Sequence, residues 1–359
     1  MERHLERTKE SEPQLTHYDA IVRWRMEKTR QRKQGKVLIK ASEVPWEENR
    51  QSLGKFYTSI HNWNEVGAPG WIIIRSRITK NYRIGKHSHR GGGRLLYVLE
   101  GKGYTVNNGI RMDWDKGDLE TLPVVMGENE HEHFADPSMP QGFFVLGYWP
   151  FMESVAYETR QIKESPDFKG ATDKELFRPD DFITDNAKLK GYDIQIKGKP
   201  KTLLDSLFVK RNQWRHRLIN TKWVIREGEQ PVEVNRMGIY RWYIHPDFTD
   251  IAVRHILFWI QEIPPGSRSG KQKHQGNRVH FVIEGKGYSI VDGVKYDWGP
   301  EDMIILPINA GGCVVQHFNA DPSKPARLAV AEPNWYDIMG VDLAAGFEQL
   351  EDAPEYKER

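Results

Sequence analysis

At 359 residues the chain is long enough for two domains with full cores. Its 52 basic and 50 acidic side chains leave a formal net charge of +2, which excludes a strong field for nucleic acid or an anionic membrane. No apolar run approaches the roughly 20 residues of a transmembrane span, and a single cysteine, Cys313, excludes an internal disulfide or a thiolate-rich metal site.

The opening residues, Met1 to Arg7, lack the apolar stretch of a signal peptide, so a cytoplasmic location is expected. Apolar positions at Tyr18, Ile21, Val22 and Met26 have the three-and-four spacing of an amphipathic helix over 17–34. The basic run Lys28 to Lys36 reads as its solvated C-terminal end, stopped at Gly35, rather than a nucleic-acid site, because no base-stacking aromatics are interleaved. A polar loop follows around Pro45 to Arg50, then strands at Phe56 to Ile60 and Trp71 to Ile78.

The next stretch runs from His87-Ser-His89 through Arg94 and the apolar Leu95 to Leu99 into Glu100-Gly-Lys-Gly103. Strand side chains alternate, so both histidines share one face and both imidazoles can reach one point. A lone pair of this kind is more often a pair of satisfied polar residues than a metal site. Here a second pair, His131-Glu132-His133, offers a third ligand. Between them Asn108-Gly109 joins two β-rich runs as a hairpin, and further strands are expected near Leu119 to Leu122 and Gly142 to Tyr148. Cys313 lies in an apolar run and reads as a buried structural thiol.

The same grammar returns 184 residues later. Glu284-Gly-Lys-Gly-Tyr288 repeats Glu100 to Tyr104, Asp292-Gly293 repeats the hairpin, and Trp298, Pro307 and His317 repeat Trp114, Pro123 and His133. The helix-like segment Leu203 to Leu218 takes the place of residues 17–34. Two homologous β domains follow from this, each preceded by a helix. The expected division is an N-terminal helical arm with first strands (1–60), a metal-binding domain (61–162), a linker with a helix (163–235), a second domain (236–345), and a charged tail (346–359) that frays or packs loosely. Short strands with Gly-rich turns point to a sandwich or barrel.

The order of two spaced histidines, an apolar strand, E-G-x-G, hairpin, G-D, Pro and a distal His resembles the two motifs of the cupin superfamily, and two copies resemble a bicupin. The fold implied is all-β with flanking helices, in two tandem cupin (double-stranded β-helix, jelly-roll) domains. Aligned by the repeat, His87 meets Gln272, His131 meets Val315, and only His89 keeps a histidine, His274. The second copy therefore reads as a domain with a degenerate metal site, and the first copy's histidines are not needed for the fold. His131 is assigned to the metal with His87 and His89. His133, whose counterpart His317 persists, is assigned to a position behind the ligands or facing substrate, although the spacing also allows it as third ligand.

Cupins of the oxalate-decarboxylase and germin kind carry a Glu after the second His; here that neighbourhood is Arg90-Gly-Gly-Gly93-Arg94. Three neutral imidazoles leave a metal its full charge and several open positions, which suits Fe(II), with Mn, Ni or Zn open by ligand type. The pattern resembles the gentisate, salicylate and 1-hydroxy-2-naphthoate ring-cleaving dioxygenases. That resemblance implies a small aromatic acid held through two oxygens, with O2 inserted into its ring, and association into dimers or tetramers. Arg94 and His133 are the candidate catalytic and substrate-facing residues, because Arg94 shares a strand face with Leu96, where that family carries an arginine. Arg77 and Arg83, with Arg75, are further candidate substrate contacts against the plainer reading of ordinary surface charges. Rival readings are a cupin enzyme for a β-diketone, hydroquinone or aminophenol, or a non-catalytic binding bicupin.

Overall fold

The computed structural model describes residues 15–78, 82–90, 93–122, 128–139, 141–155, 158–170, 195–335 and 346–357. Gly91, Gly92, Pro123 and residues 171–194 of the segment read as a linker lie outside them.

Four antiparallel sheets form two sandwiches with the same strand order. In the first, a seven-stranded sheet runs Val224–Ile225, Leu119–Leu122, Arg94–Glu100, Gln141–Tyr148, Trp71–Ile78, Leu53–Thr58, Glu47–Glu48, and faces a five-stranded sheet of Glu158–Gln161, His87–Arg90, Glu128–Ala135, Lys102–Asn107, Ile110–Asp115. The second repeats this with Ile256–Ile263 and Ala326–Pro333 at the centre of its large sheet, and with Lys271–His274 and Cys313–Asn319 in its small one. Both hairpins turn where the sequence places them: Asn108 and Gly109 have φ of 49° and 81°, and Asp292 and Gly293 have 49° and 82°, the left-handed pair a tight two-residue hairpin requires.

The large sheets pack back to back. Leu95, Tyr97, Phe144 and Leu146 of one meet Tyr243, Phe258, Phe281 and Ala329 of the other in one continuous core. Phe144 stacks on Phe281 at 4.5 Å between centroids. At ~1.5–3 kcal/mol for each large apolar side chain buried, this interface is part of each domain's stability. Separate clusters fill the two sandwiches, around Leu96, Trp114 and Phe143 in the first and around Trp259, Val282 and Trp298 in the second.

The ladders cross the division drawn from the sequence. Leu38–Ile39 pairs with Met303–Ile305 of the second copy, and Val224–Ile225 pairs with Leu119–Leu122 of the first. Each crossing segment is gripped by a carboxylate at the same repeat position. Asp302 accepts from Lys40 Nζ at 2.9 Å and the Ala41 amide at 2.8 Å; Asp118 accepts from Arg226 at 2.6 Å and the Glu227 amide at 3.1 Å.

Three local expectations differ. The polar loop at 45–50 contains a short edge strand, Glu47–Glu48. The charged tail includes a paired strand, Phe347–Glu351, because Lys271 and Lys273 of the neighbouring strand each meet a glutamate, Glu351 and Glu348, at 3.2 Å. The helices His17–Gln34 and Leu203–Ile219 both form, each opened by a Thr-x-x-Asp capping box. Yet the apolar stripe of the first covers nothing: Tyr18, Ile21 and Met26 are exposed, as are Leu203 and Trp214 of the second. No helix among the described residues is long and apolar enough to cross a membrane.

Candidate metal centre

The strand His87–Arg90 lies between Glu128–Ala135 and Glu158–Gln161, and its register sets His87 directly opposite His131. The pleat puts His89 on the same face as His87. The three imidazoles converge, with one ligand atom from each within 4.8 Å of the others. Among the described residues the cluster contains no carboxylate. Ring centroids lie 4.2 Å apart for His87 and His131 and 4.9 Å for His87 and His89.

All three are buried. His87 Nδ1–H donates to the Gly85 carbonyl and His131 Nδ1–H to that of Asn129, both at 2.8 Å, while His89 Nδ1 meets the Thr159 hydroxyl at 2.9 Å. A carbonyl only accepts, so the first two rings are fixed in the tautomer whose Nε2 carries the lone pair, as a metal ligand requires. Burial disfavours the imidazolium, holding His87 down to about 3 and His89 and His131 well below the usual histidine range, with the Arg94 guanidinium adding to the effect. The site therefore presents three neutral imidazoles at any physiological pH.

His133 stands beside the triad, its ring 5.3 Å from that of His131. Its Nδ1 meets Thr105 Oγ1 at 2.7 Å. The same hydroxyl donates to Glu120 Oε2 at 2.9 Å and accepts from the Trp114 indole at 3.1 Å. Its one proton is thus committed to Glu120, so His133 is the donor at Nδ1, and the neutral ring in that arrangement has its lone pair on Nε2. Glu120 is fully buried, and its Oε1 has no hydrogen-bond partner. Neither Glu120 nor Thr159 was singled out from the sequence. Glu120 left one signal, an acid within the expected strand Leu119 to Leu122; Thr159 left none.

The four histidines line a cavity of about 50 Å³ together with Arg94 and Phe143. An outer chamber of about 700 Å³, walled by Phe56, Ile60, His61 and Trp149, shares Phe56 and Arg94 with that cavity. The inner space is the size of an ion or a water-sized molecule, and the outer one is large enough for a ring compound. Arg94 and Leu96 both face the inner cavity, as their alternation requires. Arg77 and Arg83 line neither space: Arg77 pairs with Glu100 at 3.5 Å and lies over Trp46, and Arg83 pairs with Glu132 at 3.8 Å. Arg75 is buried, bridging Glu100 at 2.6 Å and Glu301 of the second copy at 3.0 Å.

In the second copy the register sets Gln272 opposite Val315 and His274 opposite Cys313, the places of His87, His131, His89 and Asn129. Cys313 is a buried free thiol whose pKa burial raises.

The cupin domain family matches residues 259–331. A search of curated proteins returns no match. Among solved structures, a mutant of Bacillus subtilis oxalate decarboxylase shares 15% identity over 88% of this chain and 80% of its own, with a TM-score of 0.56. An 11S globulin from Wrightia tinctoria shares 10% identity over 83% of this chain and 89% of its own, at 0.56. Salicylate 1,2-dioxygenase from Pseudoaminobacter salicylatoxidans shares 15% over 79% and 75%, at 0.49, a superposition too loose to bear on function. The family match, the likenesses to the decarboxylase and the globulin, and the paired sandwiches establish the fold as two tandem cupin domains.

Proposed function

We propose that this two-domain cupin chain is a non-haem iron dioxygenase that inserts dioxygen into, and opens, the ring of a hydroxylated aromatic acid. The observation that carries the reading is the pairing of a carboxylate-free triad of neutral imidazoles with a ring-sized chamber that meets it at Arg94. The residues fit a divalent metal: His87, His89 and His131 would hold it, two of them with tautomers set by backbone carbonyls. Bound there, iron would supply the one-electron chemistry that dioxygen needs to react with an arene.

The chain's own groups do the rest. Arg94 receives the substrate carboxylate at the mouth of the inner cavity, where a guanidinium forms paired charge-assisted hydrogen bonds. Phe56 and Trp149 flank the ring in the outer chamber. Leu96, Leu122 and Phe143 keep bulk water from the inner cavity. His133, fixed at Nδ1 by Thr105 and backed by Glu120, accepts and returns the phenolic proton at Nε2.

Metal analysis of anaerobically purified protein, with oxygen uptake across hydroxybenzoates, aminophenols, hydroquinones and diketones, tests this. The expected result is about one iron per chain and uptake with an aromatic acid. Two metals per chain, or none without uptake, overturns the reading. Uptake only with a diketone, hydroquinone or aminophenol, or a requirement for Mn, Ni or Zn, replaces the substrate or the metal.

A further inference from the structure

One ladder rung near the distal histidine carries a polar side chain in each copy, but on opposite strands. In the first copy Glu120 stands between Leu96 and Val224. In the second copy the same rung is His280, Ile304 and Leu38, with Ile304 in the place of Glu120. The fold therefore forms with isoleucine at that position. A fully buried acid with one oxygen unpartnered is the less stable choice there, so packing does not account for it.

The hydroxyl beside each distal histidine shows what the acid changes. Thr105 Oγ1 accepts from the Trp114 indole at 3.1 Å and donates to Glu120 Oε2 at 2.9 Å, which leaves His133 Nδ1, at 2.7 Å, to donate. Glu120 Oε2 also lies 3.4 Å from His133 Nδ1, and a carboxylate so placed draws the ring proton to that nitrogen. In the second copy Ser289 Oγ accepts from the Trp298 indole at 2.9 Å, and among the described residues its acceptor is His317 Nδ1 at 2.7 Å. The serine proton goes to that nitrogen, so the neutral His317 ring carries its own proton on Nε2 and presents it to His280 Nε2, 3.2 Å away. The two hubs share a geometry and differ in where the imidazole proton sits.

We propose that Glu120 is a positioning residue that acts through Thr105 to set the tautomer of His133, holding the ring proton on Nδ1 and leaving Nε2 as a proton acceptor toward the inner cavity. Isoleucine at the same rung leaves the second copy with the opposite tautomer. The effect of Glu120 on turnover rests on the ring-opening activity given above; the place of the ring proton does not.

The test is heteronuclear NMR of histidine-labelled, zinc-loaded protein at about pH 8, above the ordinary histidine range. The two ring nitrogens report each tautomer, and His133→Gln and His317→Gln identify the signals. The expected wild-type result is His133 protonated on Nδ1 and His317 on Nε2. Glu120→Ile, which installs the second copy's residue, moves the His133 proton to Nε2 and leaves His317 as it was; a merely structural acid would leave both unchanged. In the iron-loaded enzyme the same variant keeps its metal and loses kcat on the order of a hundredfold at nearly constant KM. One tautomer shared by His133 and His317 in wild type overturns the proposal, as does a His133 proton that stays on Nδ1 in Glu120→Ile. Should that variant fail to fold, the comparison of the two histidines in wild type decides alone. The expected tautomers in a protein that takes up no oxygen with any aromatic acid would overturn the ring-opening reading and support the role of Glu120.

Discussion

Replacing Thr105 with valine removes one oxygen at nearly constant volume and tests how the site is held. That oxygen serves three buried groups: Glu120 at 2.9 Å, the Trp114 indole at 3.1 Å and His133 Nδ1 at 2.7 Å. Each group left without a partner in the interior costs ~1–3 kcal/mol. His133 and Glu120, already 3.4 Å apart, can meet directly and partner each other, which leaves the Trp114 indole N–H alone. The expected loss is therefore about 1–3 kcal/mol, read by urea denaturation of metal-free protein. With His133 turned from Thr105 toward Glu120, its Nε2 leaves its place in the cavity, so kcat falls tenfold or more at nearly unchanged KM, on the order of one displaced proton-transfer group. Ser289→Ala is the internal control. Ser289 joins His317 at 2.7 Å and Trp298 at 2.9 Å in the second copy, so its loss lowers stability and leaves kcat alone. A Thr105→Val protein within about 0.5 kcal/mol of wild type, the scatter of neutral surface changes, refutes the reasoning, as does restored stability in Thr105→Ser without restored kcat.

Arg94→Ala raises KM for the aromatic acid by one to two orders of magnitude, on the order of a lost charge-assisted pair, while iron content stays at wild-type level; an unchanged KM removes Arg94 from the substrate. His89→Ala abolishes metal uptake yet leaves the circular dichroism spectrum intact, and unfolding would make the triad structural. His255, held down to about 4 by burial, is neutral in the fold, whereas the unfolded chain takes up its proton near 6.5. Its contribution is complete above about pH 6.5 and is lost as pH falls toward 4, up to about 3 kcal/mol, so His255→Gln flattens the acid limb of a stability profile.

Strands that carry a long periodic signal were legible from the sequence. Trp71–Ile78 falls where its apolar run puts it, and the Asn-Gly and Asp-Gly turns specify both hairpins. The reciprocal crossing was not legible, because two-residue strands such as Leu38–Ile39 and Val224–Ile225 have no periodicity to read. Helix 17–34 shows the converse: periodicity reveals the stripe and not what it packs against. The triad was legible because a fixed two-residue spacing maps onto one strand face. Thr159 was not, because it reaches His89 by strand pairing from 70 residues away.

The two copies also differ in what surrounds their distal histidines. The indole, hydroxyl and imidazole chain of Trp114, Thr105 and His133 recurs as Trp298, Ser289 and His317, with the hydroxyl to imidazole distance 2.7 Å in both. This hub belongs to the fold, and alone it says nothing about chemistry. The difference lies across the sandwich, where the register sets Leu96 opposite Val145 in the first copy and His280 opposite Val330 in the second. His280 Nε2 lies 3.2 Å from His317 Nε2 and occupies it. Leu96 has no hydrogen-bonding atom, so the lone pair on His133 Nε2 remains for whatever enters the cavity. The second copy also places glutamine and valine where His87 and His131 stand. A polar side chain at one strand position thus occupies the distal histidine, and the apolar one at its counterpart offers His133 no such partner. Leu96→His is accordingly expected to abolish oxygen uptake at unchanged metal content, silencing the first domain without touching a metal ligand; uptake at the wild-type rate would mean that the lone pair on His133 Nε2 takes no part.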